Sequence, residues 1–232
     1  MADKPTIYIV ASDASRNGKT LLARLVVDYL LLDDKDPFIL DTDAPDGPLR
    51  QFFPGRTALA DFDKMPGRMK LFDTILASPG RDYVIDLPQR HMQPFFKAVS
   101  ELNFFNEARK TGFRIIVFFV VDRVLPSLRA AHDVFEVPGI DLFVAVKNEA
   151  IGSAWPESEG GLVMPAIPRA PAIAISDRRF SVRNFVLGDE QGIGPIDKSK
   201  LNIFLFAVLD SLNTLDANVT LSRLKDQGDF KA

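Results

Sequence analysis

The residues best suited to chemistry are Gly18, Lys19 and Thr20, which close the run Ser12-Asp13-Ala14-Ser15-Arg16-Asn17-Gly18-Lys19-Thr20. The apolar run Thr6 to Ala11 leads into it, and Leu21, Leu22, Leu25, Val26 and Tyr29 follow at helix spacing. Strand, loop, Gly-Lys-Thr and helix together form a polyphosphate cradle. Backbone amides turn inward, a lysine reaches the terminal phosphates, a hydroxyl takes the metal, and the helix dipole favours an anion. Ser15, Arg16, Asn17, Gly18, Lys19 and Thr20 are therefore the expected binding residues for a nucleoside triphosphate such as ATP, with Mg2+ on Thr20. The first half of the loop departs from G-x-x-x-x-G-K-[ST], because Asp13 stands where glycine is expected. Aspartate tolerates left-handed backbone angles better than most residues, yet its carboxylate opposes a triphosphate unless turned away or protonated. The tripeptide alone fits a plain helix cap as well; the flanking strand and helix favour phosphate binding.

Two further segments end apolar runs in carboxylates, where an open α/β sheet puts its ligand. In Phe38-Ile39-Leu40-Asp41-Thr42-Asp43, the alternation sends Asp41 and Asp43 to one side of an extended chain, and Tyr83-Val84-Ile85-Asp86-Leu87-Pro88 repeats the pattern. Magnesium held by a hydroxyl and phosphate oxygens keeps several waters, which Asp41 and Asp86 can order, while a carboxylate such as Asp43 can position an attacking water. The competing role of each is a turn or helix cap, and for Asp122 and Asp141 that role suffices. His91 and His132 lie too far apart for a helix-borne metal pair, and Gly192-Ile193-Gly194 lacks the strand and third glycine of a dinucleotide loop.

These groups need a frame. Short apolar runs alternating with helical patterns predict an α/β fold, a doubly wound and mostly parallel sheet flanked by helices, of the phosphate-loop NTPase kind. The expected strands are Thr6–Ala11, Pro37–Leu40, Tyr83–Ile85, Arg114–Val121, Leu142–Val146 and Ala172–Ile175. Met69, Leu71, Phe72, Ile75 and Leu76 mark a second helix, and a last one is expected from Ile196, capped by Asp197, with its polar tail fraying after Leu221. The segments 44–62 and 149–171, rich in Pro and Gly, are expected to be irregular loops. Residues 1–232 are expected to form one domain.

Charge excludes some partners. With 28 basic and 31 acidic residues the net charge is -3, so no global field draws the chain to nucleic acid or lipid. The chain has no cysteine, which removes thiolate chemistry and disulfides. No signal sequence or apolar stretch of spanning length is visible, so a cytoplasmic location and no transmembrane segment are expected.

In order and spacing, Ile7-Tyr8-Ile9-Val10 leading to Gly18-Lys19-Thr20, then Asp41-Thr42-Asp43, then Val84-Ile85-Asp86-Leu87-Pro88, resemble the ParA/MinD-type partition ATPases, a class that includes plasmid mobilisation accessory ATPases. The resemblance implies a sheet of about seven strands. It implies Lys19 on phosphate, Thr20 on magnesium, Asp43 at the hydrolytic water and Asp86 in the metal shell. It further implies Asn148, which ends Val144-Ala145-Val146-Lys147-Asn148, on the adenine, with Ala166-Ile167-Pro168 flanking the base; a turn role fits Asn148 almost as well. The family's cross-dimer lysine position is occupied by Ala14, with Arg16 two residues on as a substitute cation. Hydrolysis or dimerisation is then altered, and a weak ATPase is the expectation.

Three functions follow from this pattern. The leading one is an ATP-dependent switch whose nucleotide state controls homodimerisation and engagement of a partner protein or non-specific DNA, in partition, mobilisation or protein positioning. Asp177-Arg178-Arg179-Phe180-Ser181-Val182-Arg183 is the densest basic stretch for a DNA backbone, although a solvated face explains it too. The second is a ligase resembling dethiobiotin synthetase, and the third a degenerate scaffold, which Asp13 and Ala14 favour. Paired phenylalanines such as Phe95-Phe96 and Phe104-Phe105 are expected in the core; if exposed, they would mark a partner surface.

Overall fold

Along β1 (Thr6–Ala11) every residue is buried, with Ile7, Ile9 and Ala11 in one apolar cluster and Tyr8 and Val10 in another. A strand apolar on both faces belongs in the middle of a parallel sheet with helices on each side, and the computed structural model shows that arrangement. It describes residues 4–178, 180–189 and 192–226, excepting the side chains of residues 219–226. The chain continues through α1 (Lys19–Leu32), β2 (Phe38–Asp41), α2 (Pro48–Phe52), β3 (Thr57–Leu59), α3 (Met65–Ala77), β4 (Tyr83–Asp86), α4 (Gln89–Glu101) and α5 (Phe104–Lys110). Then come β5 (Arg114–Val120), α6 (Leu125–Phe135), β6 (Leu142–Asn148), β7 (Leu162–Met164), α7 (Arg169–Ser176), α8 (Val182–Leu187) and α9 (Pro195–Asp226).

The seven strands pair in parallel in the order β3-β2-β4-β1-β5-β6-β7. The chain first winds from β1 toward β3, returns at β4, and crosses β1 to build the other half from β5. The strand ends beside β1 are thus the switch point of a doubly wound sheet, where such folds bind ligands. One face is covered by α3 to α6, whose Phe72, Phe95, Phe104 and Phe105 are buried. Those pairs are core, not a partner surface. The other face carries α1, α8 and α9, with Leu22, Leu25 and Leu30 of α1 fully buried; truncating any one of them to alanine would cost about 2–5 kcal/mol.

The structure corrects four expectations. Ala172–Ile175 is helix, not strand: it lies within α7, where Ile175 packs inward and Ile173 points to solvent. A short apolar run fits a strand or a helical turn, and in a helix residues two apart, such as Ile173 and Ile175, point to opposite sides. The segments expected to be irregular contain α2 and β3 (44–62) and β7 (149–171). Asp197 lies inside the first turn of α9 instead of capping it, because the helix begins at Pro195. That helix continues past Leu221 to Asp226. Among the described residues no helix is long and apolar enough to cross a membrane. Arg179 of the basic stretch lies outside the described residues.

Candidate phosphate-binding site

The segment joining β1 to α1 is braced from beneath by two buried polar side chains. Ser12 donates its hydroxyl to the Val120 carbonyl (2.7 Å) at the end of β5 and accepts the Asn17 amide (2.5 Å) and the Ala14 backbone N–H (3.2 Å). Asn148, at the end of β6, donates to the Asn17 carbonyl (2.9 Å) and accepts from Ala150 N–H (3.0 Å). The loop is therefore pinned to the ends of three neighbouring strands. Arg16 (φ 56°) and Gly18 (φ 96°) take left-handed angles that turn the chain into α1. A side chain at 18 is disfavoured on a second ground, since a Cβ there would stand 2.8 Å from Asn148 Nδ2 and push the bracing amide aside. Gly18 offers no side-chain cap, so the first amides of α1 have no such partner.

Asp13, the acidic departure from the motif, is turned away: its carboxylate accepts the Ser127 hydroxyl (2.5 Å) at the start of α6. Ser127 in turn accepts the Asp122 N–H (2.9 Å). Lys19 is buried, and its amine folds back over the loop onto the Ala14 carbonyl and Asn17 Oδ1 (3.0 Å). Burial lowers its pKa, against the attraction of Asp86 and then Asp13. Ser15 and Arg16 lie exposed at the tip.

The strand-end carboxylates separate into three roles. Thr20 donates its hydroxyl to Asp86 Oδ2 (2.8 Å), and Asp86 Oδ1 is buried without a hydrogen-bond partner. Burial pushes the Asp86 pKa up to about 7; Asp41 and Asp43 add to the rise, while the Thr20 hydroxyl and Lys19 oppose it. Asp41 is buried and fully engaged, accepting Asp43 N–H (3.0 Å) and Leu49 N–H (2.9 Å), so its oxygens order the turn into α2. Burial raises its pKa as well. Asp43 pairs with Arg90 (2.7 Å) in the first turn of α4.

A hard cation needs hard oxygens. Thr20 Oγ1 and the orphaned Asp86 Oδ1 meet that requirement, and the charge relieves the burial of Asp86. Among the described residues no cluster of three or more His, Asp or Glu side chains could hold an ion unaided, so an ion here would draw further oxygens from phosphate and water.

The structure thus brings Lys19, Thr20 and Asp86 together, places Asn17, Gly18 and Asn148 against them, and leaves Pro168 exposed at the head of α7. From that side Met164, at the end of β7, comes closest, its Cε 3.6 Å from where a Gly18 Cβ would stand. Sequence reasoning missed Ser12, Ser127, Arg90 and His91. The buried His91 lies 3.3 Å from Thr42 Oγ1 and 2.9 Å from Asp63 Oδ1, tying α4 to the turns after β2 and before α3. Ser12 had a signal, as a small polar residue ending an apolar strand; the others had none.

No protein-family model matches the chain, and no curated protein matches it. Two solved structures show a remote likeness. One is the genome packaging NTPase B204 of Sulfolobus turreted icosahedral virus 2, in complex with ATP-gammaS: 12% identity, 83% of this chain and 89% of that one covered, TM-score 0.31. The other is a plasmid partition protein from Borrelia burgdorferi: 12% identity, 91% and 99% covered, TM-score 0.38. At such scores neither assigns an activity to this chain, whose α/β architecture stands on its own strand order.

Proposed function

We propose that residues 1–232 act as one nucleotide-binding unit, an ATP-dependent switch with weak hydrolytic activity. The observation that carries this reading is the Thr20–Asp86 pair: a hydroxyl at the start of α1 bound to a buried carboxylate whose second oxygen has no protein partner. Asp41, by contrast, has both oxygens hydrogen-bonded, and Asp28, whose Oδ2 also lacks a hydrogen bond, has the Arg24 guanidinium at 3.7 Å.

In this reading the uncapped amides at the start of α1 receive phosphate, and Lys19 exchanges the Ala14 carbonyl for a phosphate oxygen. Thr20 and Asp86 would hold magnesium, which when bound would neutralise charge on the phosphates. Asp41 adds negative charge behind Asp86, and Asp43, released by Arg90, orients the hydrolytic water. Asn148 and Pro168 form the base side, with Asn148 already braced against the loop. The motif order supports the ParA/MinD-type class, hence a nucleotide-dependent homodimer, in the cytoplasm, that engages a partner protein or DNA. Arg16, exposed at the loop tip, is the candidate cross-dimer cation.

A second reading, a scaffold that binds without hydrolysis, is favoured by the Arg90 grip on Asp43 and by Ala14. Size-exclusion chromatography with light scattering, with and without ATP and magnesium, alongside phosphate release, separates them. The switch doubles in mass with nucleotide and releases phosphate slowly; a scaffold releases none. A constant monomer mass would contradict the switch.

A further inference from the structure

β6 presents a second feature at the end opposite Asn148. Its last three residues pair with β7, whereas residues 142–145 pair with β5 alone. A cleft of about 320 Å3 runs along this half of the strand, lined by the consecutive residues Leu142, Phe143, Val144 and Ala145. Successive side chains point to opposite faces of a sheet, so a lining of consecutive residues is a strand edge, not a sheet face. The walls agree. His132 and Phe135 come from α6 on one face, and Leu215 comes from α9 on the other. Trp155 and Glu159, from the connection between β6 and β7, complete the lining. Gly161 ends the cleft where β7 begins: a Cβ there would lie 2.4 Å from the Ala145 carbonyl oxygen.

We propose that this open edge is a slot for an extended segment of a partner protein in which apolar and basic side chains alternate. Val144 and Ala145 are buried and Leu142 and Phe143 half-buried, so an added strand would pair at the Leu142–Phe143 end of the edge, the usual means by which sheet edges capture peptides. Aromatic rings line it for side chains: Trp155 lies 5.4 Å from His132 and 6.0 Å from Phe143, and Phe135 meets Phe143 at 5.6 Å. Flat rings of this kind accept apolar groups and guanidinium planes alike. Charge decides the occupant. Glu159 lines the slot and Glu157 stands exposed beside it in the same turn, so a second copy of this chain would set like carboxylates against each other, whereas a basic segment complements them. The slot contains no residue of the phosphate loop, so the two readings fail separately.

Trp155 is the only tryptophan in the chain and reports on the slot. The full chain is titrated, by its fluorescence, with a synthetic octapeptide of alternating valine and arginine. Comparators are the same peptide N-methylated at alternate amides, a valine–glutamate octapeptide, and arginine amide. Saturable binding of the first peptide is expected, about tenfold weaker on N-methylation because strand hydrogen bonds are lost. The acidic peptide should not bind, and Glu159→Lys should weaken the basic one about tenfold. Equal affinity of the N-methylated or acidic peptide would overturn the proposal, as would saturation by arginine amide, which makes the cleft an organic-cation site. An octapeptide that does not bind at all also overturns it.

Discussion

Replacing Asp86 with asparagine separates a functional carboxylate from a structural one. Asp86 is pushed up from 3.8 to about 7, chiefly by burial. The folded protein therefore retains a proton that the unfolded chain gives up near pH 4, so stability is full below that pH and is lost as pH rises through 7. That displacement corresponds to about 4 kcal/mol, and at 4% exposure the residue has little solvent screening to reduce it. Asparagine keeps an oxygen for the Thr20 hydroxyl and removes the charge. Asp86→Asn is therefore expected to shed about 4 kcal/mol of pH dependence relative to wild type between pH 4 and pH 8, roughly 10 °C of differential Tm in a chain of this length. Asp28, also raised to about 7 by burial, titrates in both proteins and cancels in the difference. Scanning calorimetry of both proteins across this range reads the effect. Fluorescent-ATP titration with and without magnesium reads its counterpart, since the variant should lose its metal response. Parallel stability curves would refute the buried-charge argument, and an intact metal response would reduce Asp86 to a cap for Thr20.

Further outcomes follow from the same geometry. Lys19→Ala should weaken ATP affinity roughly 10- to 100-fold, the worth of a charge-assisted contact, measured by equilibrium dialysis; it removes the one lysine in the loop. Gly18→Ala should destabilise the fold by about 1–2 kcal/mol in urea, because a left-handed angle is imposed on alanine and its Cβ crowds Asn148. Asn148→Ala should cost about 1–3 kcal/mol in the same assay by leaving the Asn17 carbonyl and Ala150 N–H unpaired; no change in stability would show that the brace is idle.

Where a segment's role is local, the sequence was readable. The strand, turn and helix around Gly18 follow from apolar periodicity and a glycine, and strands as long as β5 and β6 declare themselves as apolar runs. The three-residue edge strands β3 and β7 do not, because pairing with β2 and β6 makes them strands, and their flanking prolines and glycines read as loop. Ala172–Ile175 misled for the reverse reason, a four-residue apolar run fitting either period until packing against α9 fixed the helix. In the site, Lys19, Thr20 and Asp86 were legible because a motif and strand ends localise them. The division of labour among Asp41, Asp43 and Asp86 was not, since it depends on Leu49, Arg90 and Thr20, partners brought together by topology. The docking of Asp13 on Ser127, 114 residues away, was equally hidden.

Isothermal titration of the protein with ATP tests the central claim most directly, in magnesium and again in EDTA, with Lys19→Ala as reference. The account predicts one saturable site per chain, tighter with magnesium and lost or greatly weakened in the variant. Heats indistinguishable from dilution at millimolar ATP and magnesium, or binding that Lys19→Ala leaves unchanged, would contradict it.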